Sequence, residues 1–432
     1  MSGSPVRIGL VGYGFGGRRF HAPLIVSAPE CEFAGVVTRS AERRQLLAED
    51  FPATPAYGSL SELASAGVEA VAVSTPVATH IPLVQEALGL GLAVVSDKPF
   101  APDAQAARST VEMAERSGRV VSVYQNRRWD SDLLTVRRLI ADGSLGPVGR
   151  FESRFERFVP QRGPSDAGGG VLLDFGSHLV DQALLLFGPA HTVYAEMHLR
   201  EDRPGVDDDF FLALSHDSGV RSHLWGSYLQ GSPGPRFRVA GLNGAYVVDG
   251  VDGQEAALVA GLSPASEGVR WGVEDTHRWG RLRRGEESEP VPTERGRWDT
   301  YYPAFAAAVR GEAPPPVDPW DAVASLEVLD AARTSALEGH TVSLARSGDA
   351  GTSLALKGGT MDHTYRVTEI VGSSAESSDQ AVRNAIGRAS ATLRQLDWFE
   401  IIETRGHIVN GEVGHYQVTL KVGFRLETPA ST

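Results

Sequence analysis

Short apolar runs separated by helical stretches fill the first part of the chain. Val6–Val11, Phe33–Val37, Ala70–Ser74, Ala93–Ser96 and Val120–Tyr124 are such runs, and the segments between them, notably Pro102–Ser117, carry helical spacing. Strands apolar on both faces and alternating with helices predict a doubly wound parallel sheet. The pattern then changes. Val148–Val159, Thr192–Leu199, Phe210–Ser215, Arg221–Leu229, Phe237–Leu242 and Ala245–Val248 are strand-like runs that predict an antiparallel sheet, closed by helices at Asp299–Arg310 and Pro319–Glu338.

A small-residue, Gly-rich joint follows at Gly348–Thr360, and Met361 stands where a second reading frame would begin. An ordinary internal methionine in a natural linker is the alternative. Beyond it, Tyr416, Val418, Leu420, Val422, Phe424 and Leu426 alternate with polar residues, the mark of a half-buried strand. Asn410-Gly411 predicts a hairpin between Trp398–Val409 and Val413–Leu426. Ser378–Leu396 carries Ala381, Ala385, Ala389, Leu393 and Leu396 as one inward helical stripe. One helix over three long strands is little core for an independent fold, so this end of the chain is expected to oligomerise.

The 432 residues suffice for two or three domains, and 42% hydrophobic with 22% charged residues describes a globular protein. A net charge of −13 disfavours nucleic acid or an anionic membrane as partner. The single cysteine, Cys31, forms no internal disulfide and no thiolate cluster. With no signal-peptide pattern ahead of Val6 and no membrane-length apolar run, a cytoplasmic location is expected.

Glycines 12, 14 and 17 directly follow Val6–Val11 and satisfy G-x-G-x-x-G between a strand and a helix. Gly12 permits the tight turn, Gly14 lets backbone approach a pyrophosphate, and Gly17 lets helix and strand pack closely. A glycine-rich turn without a ligand is the bland alternative. At the end of the second strand, Val37-Thr38-Arg39-Ser40 offers no acidic residue for a ribose 2′-hydroxyl. Arg39, with Arg43 and Arg44 a turn later, favours NADP(H) over NAD(H), unless it is a surface arginine with no role. Asp174, His178 and Asp181 form a polar stripe in the apolar helix expected over Leu172–Phe187. Such a stripe needs partners, supplied by a substrate cleft or by a structural network. No third ligand stands at metal spacing, so no metal site is expected, and His191, His198, His216 and His223 are expected to pack or face solvent.

Ser74-Thr75-Pro76 with His80, Asp97-Lys98-Pro99, and Gly168-Gly169-Gly170 through Asp174 to His178 and Asp181 together resemble the glucose–fructose oxidoreductase/inositol dehydrogenase/rhizopine-catabolism (Gfo/Idh/MocA) family over about residues 5–346. Phe20-His21-Ala22-Pro23-Leu24, Asn126-Arg127-Arg128-Trp129-Asp130, Asp249–Glu255 and Trp271-Gly272 resemble its branch of NADP-dependent scyllo-inositol dehydrogenases. The resemblance implies a Rossmann domain followed by an α+β domain, and alcohol–ketone interconversion of a cyclitol, sugar or related small molecule by hydride transfer. It implies that Lys98 and His178 contact the reacting hydroxyl with Asp174 in support. His178 is preferred as general base for its proton affinity near neutral pH, with Lys98 stabilising the oxygen's developing charge; which of them takes the proton stays open. The expected cofactor set is Gly12, Gly14, Gly17, Arg39, Ser40, Ser74, Thr75, Pro76, His80 and Lys98. The branch usually has a longer insertion before the glycines and a tyrosine before the aspartate. Here Val159–Pro164 leads quickly into them and Leu173 precedes Asp174, so the substrate wall differs and scyllo-inositol itself is doubtful.

Thr364–Val367, Leu396-Asp397-Trp398-Phe399-Glu400, Arg405-Gly406-His407 and Gln417–Phe424 resemble dodecin, which implies a β-α-β-β domain that forms flavin-binding twelve-subunit shells. By that resemblance Trp398 stacks on an isoalloxazine ring of FMN, FAD or riboflavin and Gln417 bonds its polar edge; a packing tryptophan is the alternative. The expected division is a dinucleotide-binding domain at 1–125, a substrate and oligomerisation domain at 126–347, a linker at 348–361 and a dodecin domain at 362–428. The leading expectation is a dehydrogenase assembled as a dodecamer through 362–428. The competing one is a flavin-storage or scaffold assembly, natural or an engineered fusion, with the oxidoreductase as passenger. A nucleotide-sensing protein without turnover is a third reading, against which Lys98, Asp174 and His178 stand.

Overall fold

The computed structural model describes residues 4–161, 169–203, 205–344, 365–390, 396–409 and 412–425. The joint at 348–360, Met361, Gly168 and the Asn410-Gly411 turn lie outside the described residues. The chain divides into two compact units, Met1–Gly351 and Thr352–Thr432.

In the first unit, strands β1 (Val6–Val11), β2 (Cys31–Val37), β3 (Ala56–Tyr57), β4 (Ala70–Val73), β5 (Ala93–Ser96) and β6 (Val121–Val123) form a parallel sheet in the order β3-β2-β1-β4-β5-β6. The order reverses between β1 and β4, and a crevice opens beyond the strand ends at such a switch point. β4 and β5 are buried along their whole length, as strands covered on both faces must be. The helix Ala104–Ser117 begins where Asp103 accepts a bond from the Ala106 amide (2.8 Å) and ends at left-handed Gly118.

The second sheet contains β7 (Val148–Glu156), β8 (Ala190–Leu199), β9 (Asp207–His216), β10 (Arg221–Ser227), β11 (Phe237–Gly241), β12 (Gly244–Val248), β13 (Arg281–Arg284), β14 (Glu287–Pro290) and β15 (Val342–Ser343), ordered β14-β13-β12-β11-β7-β10-β9-β8-β15. It is mixed rather than purely antiparallel, because β10 runs parallel to β7. The chain leaves β7 through the helix Gly176–Phe187 and returns by the β8–β9–β10 meander, a crossover that brings β10 beside β7 in the same sense.

The helix Pro319–Glu338, capped by Asp318, packs against Ala104–Ser117, Gly176–Phe187 and β8, and so spans both sheets. Buried Ser122 on β6 accepts from the Tyr301 hydroxyl (2.9 Å) and donates to the Val317 carbonyl (3.0 Å), tying the late helices to the first sheet. One apolar core runs through the whole unit.

The expected helix over Leu172–Phe187 is broken at Phe175 into Val171–Asp174 and Gly176–Phe187. The carbonyl of Asp174, which a continuous helix would give to the His178 amide, accepts instead from Ser177 Oγ (2.9 Å) and Lys98 Nζ (3.3 Å). The His178 amide turns to the Phe175 carbonyl (3.1 Å).

The second unit is an antiparallel sheet ordered β16 (Tyr365–Ser374), β18 (Glu412–Arg425), β17 (Leu396–Val409), with the helix Ser378–Ser390 on one face. A Cβ at Gly372 would lie 2.1 Å from the Ala381 carbonyl, so the helix sits very close to β16. Its core is small: Ala381, Ala385, Val418 and Leu420, with Ile370, Val382 and Ile386 against them. Val371, Phe399, Ile401, Ile402, Ile408, Val409 and Val413 are exposed.

Candidate active site

The loop after β1 is shaped by steric necessity. Gly12 has φ 96°, and a Cβ there would lie 2.3 Å from the Ser74 carbonyl at the end of β4. A Cβ at Gly17 would lie 2.2 Å from the Gly12 carbonyl, so loop and helix touch there. Gly14 is different: a Cβ would meet only Arg43 Nη2, at 3.9 Å. That open backbone, followed by a helix, fits the close approach of a dinucleotide pyrophosphate.

Beside it, Ser40 Oγ accepts from the Arg43 amide (3.3 Å) and starts the helix Ala41–Asp50. Arg39 is exposed at the strand tip, where its Nε donates to the Gly58 carbonyl (3.1 Å). Arg44 turns back to the Thr38 carbonyl (3.1 Å). Ser74 donates to Asp97 Oδ2 (2.8 Å), and Thr75 Oγ1 accepts from Thr79 (2.8 Å). His80 is buried, with one ring nitrogen facing the Thr75 carbonyl (2.7 Å) and the other the Pro99 carbonyl (2.8 Å). It ties the loop carrying Thr75 and Pro76 to the loop carrying Lys98.

Lys98, just beyond β5, pairs through Nζ with Asp174 Oδ1 on the broken helix. The neighbouring Asp97 carboxylate accepts from the Lys98 amide (2.9 Å) and lies 3.4 Å from His21 Nε2. Burial pushes the Asp97 carboxyl up, but His21, His80 and Lys98 more than offset that and hold it at about 2.

His178 is 4% exposed, its ring lies parallel to Phe155 (6.4 Å between centroids), and its Nδ1 is buried without a hydrogen-bond partner. Burial first, and then the charges of Lys98, Arg127 and Arg236, push its proton affinity well below the ordinary histidine range, away from the near-neutral value expected from the sequence. A neutral imidazole therefore stands within the field of an ammonium–carboxylate pair. An alcohol oxygen at this place meets a cationic donor and an uncharged nitrogen able to accept a proton.

Asp174 thus pairs with Lys98, and His178 lies within the field of the same ammonium. Asp181 does not join them: it takes a two-pronged bond from buried Arg128 (2.8 and 2.6 Å). Sequence reasoning assigned no role to Arg127 or Arg236, the cations beside His178. Arg127 pairs with Asp130 (3.2 Å) and Glu255, while Arg236 bonds Ser153 Oγ (2.6 Å) and Gln182 Oε1 (2.8 Å). In sequence these arginines look like surface residues.

In the second unit, Trp398 pairs with Gly423 across the β17–β18 ladder, whereas Gln417 pairs with Arg405 and Ser373. Along β18 these places are roughly 20 Å apart at about 3.4 Å per residue. One chain does not bring them together, and the Trp398 side chain lies outside the described residues.

Comparison with known proteins covers both units. The family model "Oxidoreductase family, NAD-binding Rossmann fold" matches residues 6–125, "Oxidoreductase family, C-terminal alpha/beta domain" matches 137–344, and "Dodecin" matches 364–427. The chain is 37% identical to the oxidoreductase YdgJ of Escherichia coli, across 79% of this chain and 99% of that protein. It is 31% identical to IolW of Bacillus subtilis, named scyllo-inositol 2-dehydrogenase (NADP(+)), across 78% and 96%. The crystal structure of an oxidoreductase from Klebsiella pneumoniae superposes with a TM-score of 0.73 at 36% identity, across 82% and 98%.

The Asp97 carboxyl, with a folded-state value below its ordinary 3.8, contributes stability that is complete above about pH 4 and is lost as pH falls toward 2. Asp97→Asn should remove roughly 2 kcal/mol at neutral pH and flatten the acid limb of the unfolding midpoint. Parallel acid profiles for the variant and the wild type would contradict this.

Proposed function

The chain belongs to the Gfo/Idh/MocA family of oxidoreductases and carries a dodecin domain behind it. From that premise we propose that it interconverts the alcohol and ketone of a cyclitol, sugar or related small molecule, using NADP(H) in preference to NAD(H), in a reducing, cytoplasmic setting. The observation that carries this reading is the Lys98–Asp174 pair beside neutral His178, at the C-terminal edge of a parallel sheet and next to an open glycine loop. A nicotinamide bound there supplies the hydride acceptor or donor.

The chain's own residues do the rest. Lys98 holds the substrate oxygen and stabilises the charge that grows on it as the O–H proton leaves. His178 offers a nitrogen lone pair to that proton. Asp174 fixes the Lys98 ammonium, and its pairing keeps the helix broken so that His178 turns toward the same point. Gly12, Gly14 and Gly17 with Ser74, Thr75 and Pro76 hold the dinucleotide, and His80 braces the last of these loops. Arg39, with Ser40 and Arg43 beside it and no acidic residue at the strand tip, is the proposed partner of a 2′-phosphate, and the NADP(+) in the name of the Bacillus relative supports this reading.

The dodecin domain is the assembler in this reading. Its small core and exposed apolar strand residues call for other copies to cover them. A flavin held by Trp398 and Gln417 would draw on more than one chain. Among the described residues no helix is long and apolar enough to cross a membrane.

Lys98→Ala and His178→Ala should each lower turnover about 10²–10⁴-fold while leaving NADPH affinity nearly unchanged. Rates within a few-fold of wild type would remove the assignment. Arg39→Asp should shift cofactor preference toward NAD(H), measured as the ratio of dissociation constants; a wild type that already prefers NAD(H) refutes the role of Arg39. Light scattering of the intact chain should give roughly 550 kDa, twelve times 46.2 kDa. A particle of two to four chains would count against assembly by the dodecin domain.

A further inference from the structure

One polar group near the proposed centre takes no part in that chemistry. Arg157 lies just beyond β7, with its backbone tied to Ser227 (2.8 Å) and Gln230 (3.1 Å). Its guanidinium lies 5.4 Å from the centroid of Phe155 and 5.5 Å from that of Phe175, the rings that adjoin His178 and Asp174. Its contact with a carboxylate is long: Nη2 reaches Glu255 Oε1 at 3.5 Å, at the limit of a hydrogen bond, and its side chain is 44% exposed. Glu255 lies in the first turn of the helix Gln254–Val259 and is firmly placed. Its other oxygen is held by Arg127, and Gln254 beside it is buried, bonded to Asp252 and Trp129 and accepting from Trp298. Lys98 is among the cations that act on Glu255, so this carboxylate shares the field of the proposed centre.

A loosely closed arginine–carboxylate pair at the edge of aromatic rings presents N–H donors and a carboxylate acceptor side by side. Two adjacent hydroxyls match that arrangement, one oxygen accepting from Arg157 and one O–H donating to Glu255, with ring C–H faces against Phe155 and Phe175. A substrate carboxylate would suit Arg157 but would meet the charge of Glu255. We propose that Arg157 and Glu255 form a clamp for vicinal hydroxyls remote from the reacting carbon, selecting neutral polyols over simple alcohols and sugar acids. This rests on the dehydrogenase reading above and adds the substrate-recognising residues to it.

The test uses the full-length protein with NADPH bound, titrated calorimetrically with myo-inositol, D-glucose, D-glucuronate and cyclohexanol, alongside steady-state oxidation of the same compounds with NADP+. Wild type should bind at least one neutral polyol and prefer D-glucose to D-glucuronate. Arg157→Lys and Glu255→Gln should each weaken polyol binding roughly 10–100-fold, chiefly in KM, with NADPH affinity unchanged. Equal polyol affinity in wild type and both variants, preference for D-glucuronate, or no binding of any probe by wild type overturns the clamp. A wild type that binds polyol through Arg157 yet oxidises none of the compounds instead overturns the dehydrogenase reading and leaves the clamp standing.

Discussion

The contact between Lys98 and Asp174 is the constraint on which the architecture of the first unit turns. Lys98 belongs to the end of the parallel sheet, and Asp174 to the helical segment that covers the mixed sheet. The Lys98 ammonium meets both the carboxylate and the carbonyl of Asp174 where the helix is broken, and there the His178 amide bonds the Phe175 carbonyl in place of the Asp174 carbonyl that a continuous helix would give. A charged pair at a helix break is weak as a source of stability, since desolvation opposes the Coulomb attraction. Its value is positional: within the one core that runs through the unit, it fixes the end of the parallel sheet against the helical segment on the mixed sheet at one point.

Around that point the electrostatics are arranged in layers. Arg127 and Arg236 crowd the Phe155 ring beside His178, at 4.6 and 5.7 Å from its centroid, and keep the imidazole uncharged. Buried acids answer them. Burial pushes the Asp132 carboxyl up to about 6 against the pull of Arg236, and Asp130, also raised by burial, accepts from the Trp298 indole (2.8 Å) while pairing with Arg127. The result is a polar interior in which burial first, and the neighbouring cations second, keep one histidine neutral.

Much of this was legible in the chain. The parallel sheet, its glycine loop and the C-terminal hairpin announce themselves through periodicity and through glycines that only one geometry requires, such as Gly12 beside Ser74. Lys98, Asp174 and His178 were legible through their family pattern. What escaped was set by tertiary placement. The parallel pairing of β7 with β10 depends on where a crossover lands, and a run of alternating residues carries no sign of that. At the helix break at Phe175 the freed Asp174 carbonyl is taken up in part by a lysine from another sheet. Arg236 and Arg157 are both arginines next to strands, yet one is buried against Gln182 and the other reaches an exposed edge; no local pattern separates them.

The central claim is that the first unit moves a hydride directly between a substrate carbon and a nicotinamide. The most direct measurement uses a polyol substrate deuterated at the oxidised carbon, with mass spectrometry of the NADPH formed by the intact protein. The account predicts that the deuterium appears in the reduced nicotinamide and that turnover slows with the label. Label lost to water, or a nicotinamide that stays unreduced by every polyol offered, would contradict it.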